Sequence, residues 1–162
     1  MALEENKAIV ERYIRAIWDG LQEDAIEAFL APDFVKYGPG PVTTGVEFMR
    51  FFVSQMRELR GLPDDSDPWI TDIAMVAEGD WIASRITRSP IPHSDWHPVA
   101  VHPTMASLVT ELQERSPLSI TVHRVVDGRI VEEWAAEDGP GPDFDSLFET
   151  WSELKANQQG RE

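Results

Sequence analysis

His123-Arg124-Val125-Val126-Asp127-Gly128-Arg129-Ile130-Val131-Glu132-Glu133-Trp134 sets the dipeptide Asp127-Gly128 between two runs rich in β-branched residues. Asp-Gly is a preferred pair for a tight hairpin turn, because such turns need residues that tolerate positive φ. Leu118–Val126 and Arg129–Glu137 therefore read as two antiparallel strands. Upstream, Trp69–Ala77 and Trp81–Ser89 flank Glu78-Gly79-Asp80, which is a second hairpin signal.

The first half has a different period. Ile9, Val10, Tyr13, Ile14, Ile17 and Trp18 recur at three- and four-residue steps and predict a helix over Leu3–Gly20. A short helix follows over about Glu23–Leu30, ended by Pro32 and Asp33, and Phe34–Tyr37 suits a short strand. Thr44, with Glu47 three residues later, reads as the cap of a third helix carrying Phe48, Met49, Phe52, Val53 and Met56. A final helix is expected from about Asp143 to Lys155. Helices first and hairpins second give an α+β domain, with an antiparallel sheet whose apolar face the helices cover.

The chain has 162 residues, enough for one domain with a substantial core, and no linker or repeat divides it. Six Trp and seven Phe supply large rigid side chains. A formal net charge of −15 argues against nucleic acid and anionic membrane surfaces as partners. There is no Cys, so disulfides and thiolate chemistry are excluded. The segment MALEENKAIVERY lacks the basic and apolar regions of a signal peptide, and the expected location is cytoplasmic.

Several phrases, taken in order, resemble the SnoaL-like polyketide cyclases of the nuclear-transport-factor-two-like superfamily. They are the opening amphipathic helix, Ala31-Pro32-Asp33-Phe34, Thr44-Gly45, Glu78-Gly79-Asp80-Trp81 and, above all, the stretch from His123 to Trp134. The resemblance covers roughly residues 3–89 and 118–138. It implies a curved sheet forming a cone around the N-terminal helices, an internal hydrophobic cavity, and a homodimer formed through the sheet. It further implies a cofactor-independent cyclase or isomerase acting on a hydrophobic small molecule. In such enzymes one carboxyl group removes a proton beside a carbonyl, which requires its pKa to be raised by desolvation.

The residues depart from that pattern at the expected acid. Where the resemblance places an Asp, this chain has Ala135. The Arg-x-Asp pair of similar epoxide hydrolases becomes Arg85-Ile86-Thr87, the family's cavity Asn becomes Lys36, and its His falls near Pro92. A long segment, Pro90–Pro117, replaces the usual Gly-rich connection.

Side chains alternate along a strand, so Glu133 shares a face with Ala135 and is the nearest replacement carboxylate. A two-residue turn pairs Val122 with Glu133. A three-residue turn pairs Thr121 with Glu133, Ser119 with Ala135 and His123 with Val131. The second register separates polar His123, Thr121 and Glu133 from apolar Ile120, Val122, Ile130 and Trp134 more cleanly and is preferred. Glu133 is then the expected acid/base, with His123 or Thr121 tuning it or orienting substrate. The competing reading is a polar strand face that meets water.

Asp138 is the next acidic candidate, although a residue there also suits a turn. Helix phase and resemblance put Tyr13, Ile17, Phe34, Phe52 and Met56 on the pocket wall. Arg85 is either a substrate contact or one half of an ion pair with Asp72. His93 and His97 have metal-ligand spacing, but Pro92 and Pro98 disfavour the helix that would use it, and no metal is expected. Met105, Leu108, Val109 and Leu112 suit a lid or an added packing helix. A non-catalytic binding or dimerising protein of the same fold is the alternative to an enzyme.

Overall fold

The apolar stripe of the first helix and the two hairpin signals meet in one core in the computed structural model. It describes residues 2–38, 41–60, 70–88, 118–137, 149, 151–153 and 155–156. Helix α1, Ala2–Tyr13, continues as a wider π-helical turn over Ile14–Asp19. The uninterrupted α-helix expected to Gly20 is thus loosened in its last turn, where the Gly20 N–H reaches back five residues to the Arg15 carbonyl at 2.8 Å. That turn is pinned to the sheet through both backbone groups of one residue, Ile70. The Ile70 N–H donates to Asp19 Oδ1 at 3.1 Å, and Arg15 Nη1 donates to the Ile70 carbonyl at 2.6 Å.

A 3-10 turn at Glu23–Ala25 leads into the one-turn helix α2, Ile26–Phe29, and then directly into strand β1, Leu30–Tyr37. Strand β1 starts earlier than the Phe34 expected from sequence. Strand β2 is Thr43–Thr44 and helix α3 is Glu47–Arg60. Thr44 is therefore not the cap of α3. It is paired with Val35 in the ladder, and the N–H of Gly45, at φ +77°, donates to the Phe34 carbonyl at 2.7 Å.

The remaining strands are β3 (Ile70–Glu78), β4 (Trp81–Arg88), β5 (Leu118–Val126) and β6 (Arg129–Glu137). They form one curved sheet in the order β2-β1-β6-β5-β4-β3. The expected all-antiparallel sheet is in fact mixed, because β1 runs parallel to β6. Residues 149, 151–153 and 155–156 are helical, in the region of the final helix expected from sequence and one residue past its expected end. There Trp151 sets its ring edge-on to Phe48 at 5.4 Å. The segment 90–117 and Asp138 lie outside the described residues. So do His93, His97, His102 and the stripe from Met105 to Leu112.

The hairpin has the two-residue turn of the first expectation, but beyond a bulge its register matches neither. Val126 opposes Arg129 across Asp127-Gly128, which sit at φ +50° and +77°, a two-residue turn. A bulge then skips Val131, so His123 opposes Glu133, Thr121 opposes Ala135 and Ser119 opposes Glu137. The added residue restores the parity of the preferred register, and the polar set still shares one face. Gly128→Val should cost about 1–2 kcal/mol in a urea melt, because a β-branched residue is strained at this φ.

The inner face of the sheet meets Val10, Tyr13, Ile14 and Ile17 of the first helix and Phe48, Met49, Phe52, Val53 and Met56 of α3. Ile82, Ile86, Val125 and Ile130 are the sheet's apolar share of this cluster. The outer face carries a row of neighbours running across the strands: Val76, Ala83, Val122, Trp134 and Tyr37. Val76 and Trp134 are exposed, and Trp134 stacks on Tyr37 at 3.9 Å. Among the described residues no helix is long and apolar enough to cross a membrane.

Candidate functional site

One row of the inner face is polar where an apolar row would be expected. Reading across the ladders, Thr43, Lys36, Glu133, His123 and Ile82 are successive neighbours on β2, β1, β6, β5 and β4. Glu133 and His123 are 0% exposed and Lys36 is 7% exposed. Burying a carboxylate is costly unless it is paired and hydrogen-bonded. Glu133 is both.

Lys36 Nζ donates to Glu133 Oε1 at 2.6 Å. Tyr13 Oη, reaching down from α1, donates to Oε2 at 2.8 Å, and His123 Nε2 lies 3.1 Å from the same oxygen. Tyr13 also packs edge-on against the His123 ring at 5.6 Å. Lys36 Nζ lies 5.6 Å from the centre of the Trp18 ring, so its charge is held between a carboxylate and a π-face.

The electrostatics invert the expected tuning. Burial pushes the Glu133 carboxyl upward, as a raised-pKa acid would need. The Lys36 charge, the His123 hydrogen bond and charge, and the Lys36 hydrogen bond outweigh burial and hold it well below the ordinary carboxylate range. Glu133 is therefore an ionised acceptor. Burial, then the Glu133 charge and hydrogen bond, push the Tyr13 hydroxyl well above its usual range and keep it neutral.

An ionised carboxylate only accepts hydrogen bonds, so His123 Nε2 must carry a proton toward it. In the neutral ring, Nδ1 is then the lone-pair nitrogen. That atom is buried and has no hydrogen-bond partner among the described residues. The same holds for the hydroxyls of Thr43, Ser84 and Thr121.

The expected residues divide accordingly. Glu133, His123 and Thr121 lie together on the buried face, with Ala135 half-buried beside Thr121. Tyr13, Ile17, Phe34, Phe52 and Met56 are all buried in the core, and Tyr13 adds a hydrogen bond that its reading as apolar wall omitted. Arg85 is not with them. It lies on the outer face, exposed, with Nη2 on Asp72 Oδ2 at 2.7 Å, the ion-pair alternative. Ser84 went unnoticed in the sequence, although it sits between Ile82 and Ile86 at the spacing of a buried face. Lys36 gave the same kind of signal beside Phe34.

Comparison with known proteins follows the same lines. A proposed polyketide cyclase from Bacillus cereus superposes with a TM-score of 0.53 at 21% identity, covering 83% of this chain and 74% of that one. One from Xanthomonas campestris gives 0.56 at 16% identity, covering 85% and 93%. An LEH-like epoxide hydrolase from M. tuberculosis gives 0.54 at 16%, covering 83% and 84%. At these identities the likeness shows a shared fold, of the cystatin-like kind also seen in another X. campestris protein. No curated protein matches the sequence closely enough to add to this. The sequence profile of the SnoaL-like polyketide cyclases matches residues 8–142, from α1 through β6, and so takes in every member of the buried polar row. By that match the chain belongs to the SnoaL-like polyketide cyclase family.

Proposed function

We propose that this protein is a cofactor-independent acid/base enzyme that removes and returns a proton beside a carbonyl group of a hydrophobic small molecule. His123 is the proton-transfer group, and Glu133, Tyr13 and Lys36 hold it in place. The observation that carries this reading is His123 Nδ1: buried, without a protein partner among the described residues, on a ring whose other nitrogen is fixed by an ionised carboxylate. A carboxylate that fixes a His tautomer also stabilises the imidazolium formed after proton transfer. This moves the base from Glu133, whose oxygens are already engaged by three donors, to its neighbour.

The experiment is deuterium wash-in. 1-Tetralone in D2O is followed by NMR with wild type and with His123→Gln. Enzyme-dependent labelling at the carbon beside the carbonyl, lost in the variant, supports the reading. Labelling that survives in the variant rejects it. The second reading is a binding protein without turnover. Ala135, at the place where the family resemblance puts an acid, favours it, and absence of labelling despite ligand binding would select it.

The working unit is proposed to be a homodimer joined through the outer face of the sheet. The row Val76–Ala83–Val122–Trp134–Tyr37 supports this, since it sets apolar side chains beside one another on five strands. Trp134→Lys should convert dimer to monomer in sedimentation equilibrium, because it puts a charge inside the apolar patch. Unchanged mass would remove this interface.

A further inference from the structure

Two buried hydroxyls on the inner face have no role in the proton-transfer cluster. Ser84 and Thr121 are direct partners across β4 and β5. They are 1% and 8% exposed, and neither hydroxyl has a hydrogen-bond partner among the described residues. A buried hydroxyl without a partner is unfavourable, and two side by side mark a place built to receive one.

The spacing says what it receives. Opposed residues in an antiparallel pair have Cβ atoms about 4.5–5.5 Å apart, so both hydroxyls reach a single shared atom. Thr121 is two residues from His123 on the same face, about 7 Å along the strand. A base approaches its carbon at about 3 Å. A hydroxyl approaches an oxygen at about 2.8 Å. Together with the two bonds between an α-carbon and its carbonyl oxygen, about 1.5 and 1.2 Å, these contacts make a bent path that bridges the span.

Charge narrows the class further. Lys36 is engaged by Glu133, and Arg88 Nη2 by the Ser119 hydroxyl at 2.9 Å. The Lys36 charge is thus already matched by a carboxylate, and the two hydroxyls themselves suit a neutral oxygen.

We propose that the Ser84 and Thr121 hydroxyls together bind the carbonyl oxygen of a neutral ketone or ester and stabilise its enolate. The inference rests on the reading of His123 as the base. In the step, His123 Nδ1 takes the α-proton and the C–H electron pair becomes the C=C bond. The carbonyl π pair moves onto oxygen, where the two hydroxyls donate to it. Return of the proton from His123 to the same or another carbon restores both partners. Donors fixed where charge develops are worth more in a dry site than in water.

The test uses 1-naphthol, which carries the oxygen of an enol on an aromatic frame, with naphthalene and 1-naphthoate as comparison ligands. Binding is read by tryptophan fluorescence and exchange by 1-tetralone labelling, in wild type, Ser84→Ala, Thr121→Val and Thr121→Ser. Each of the first two variants should weaken 1-naphthol roughly threefold to tenfold and leave naphthalene unchanged. Each should slow labelling by up to about a hundredfold, and Thr121→Ser should restore both.

Unchanged 1-naphthol affinity and labelling in both variants, with His123→Gln inactive, would overturn the hydroxyl pair and leave the base standing. Labelling that survives His123→Gln would instead remove the base. Binding of 1-naphthoate as tight as that of 1-naphthol would overturn the neutral-ligand assignment, and failure to bind 1-naphthol at all would overturn the pair.

Discussion

His123→Gln should slow proton exchange by roughly 10²–10⁴-fold while leaving the fold intact, measured as the initial rate of deuterium entry into 1-tetralone. Gln is close to His in size and offers Glu133 an N–H donor, so the carboxylate keeps a partner. What it lacks is a titratable nitrogen. The mutation therefore removes chemistry more than packing, and circular dichroism and the urea midpoint should move little by comparison. The contrast with Glu133→Gln separates the two roles. If Glu133 orients and stabilises the ring, its loss should slow exchange less than the loss of His123. If Glu133 were itself the base, the order would reverse.

The second large effect is on stability. Glu133→Gln should destabilise the protein by about 3–5 kcal/mol, because it leaves the Lys36 ammonium buried without its counter-charge. Lys36→Met in the same chain should restore much of that loss, since the pair is then replaced by groups with no charge to solvate. A double-mutant cycle in urea measures the coupling directly. Additive single effects would mean that the 2.6 Å contact contributes nothing of its own.

The pH dependence follows from the same pair. The folded-state pKa of Glu133 lies below its ordinary value of 4.5. Its contribution is thus fully present above about that pH and is lost as pH falls further, through the folded pKa. Wild type should lose stability in that acid range more steeply than Glu133→Gln, and the two urea midpoints should converge as the solution is acidified. Parallel curves would show that folding does not lower the Glu133 pKa.

The sequence announced some of this and hid the rest for identifiable reasons. Asp127-Gly128 and Glu78-Gly79-Asp80 fix their hairpins by local turn chemistry, and local signals survive in a single sequence. The shared face of His123, Thr121 and Glu133 was legible because alternation depends only on parity. The pairing itself was not, because the bulge at Val131 has no composition of its own. The pairing of Lys36 with Glu133 escaped for a different reason. The partner lies 97 residues away on a strand that β1 joins in parallel, and no periodicity within β1 points there. Tyr13 was placed correctly by helix phase, yet phase says nothing of where its hydroxyl goes. The raised carboxylate pKa expected from burial failed because burial was only one of the influences on Glu133, and the others arrive from distant elements.

The parallel ladder between β1 and β6 also bears on how the chain is made. A ribosome delivers β1 long before β6, yet β6 is the strand that separates β1 from the rest of the sheet. Until it emerges, β1 has no strand to join it to the β5-β4-β3 part of the sheet, and Lys36 and Tyr13 have no acceptor. Strand β1 must wait with Leu30 and Phe34 incompletely covered, which is a condition under which chaperones bind and aggregation begins. Completion of the last hairpin then supplies the docking strand and the buried carboxylate together. Synthesis stalled before Arg129 should leave a protease-sensitive chain, and release of a few more residues past Glu137 should convert it abruptly to a resistant one.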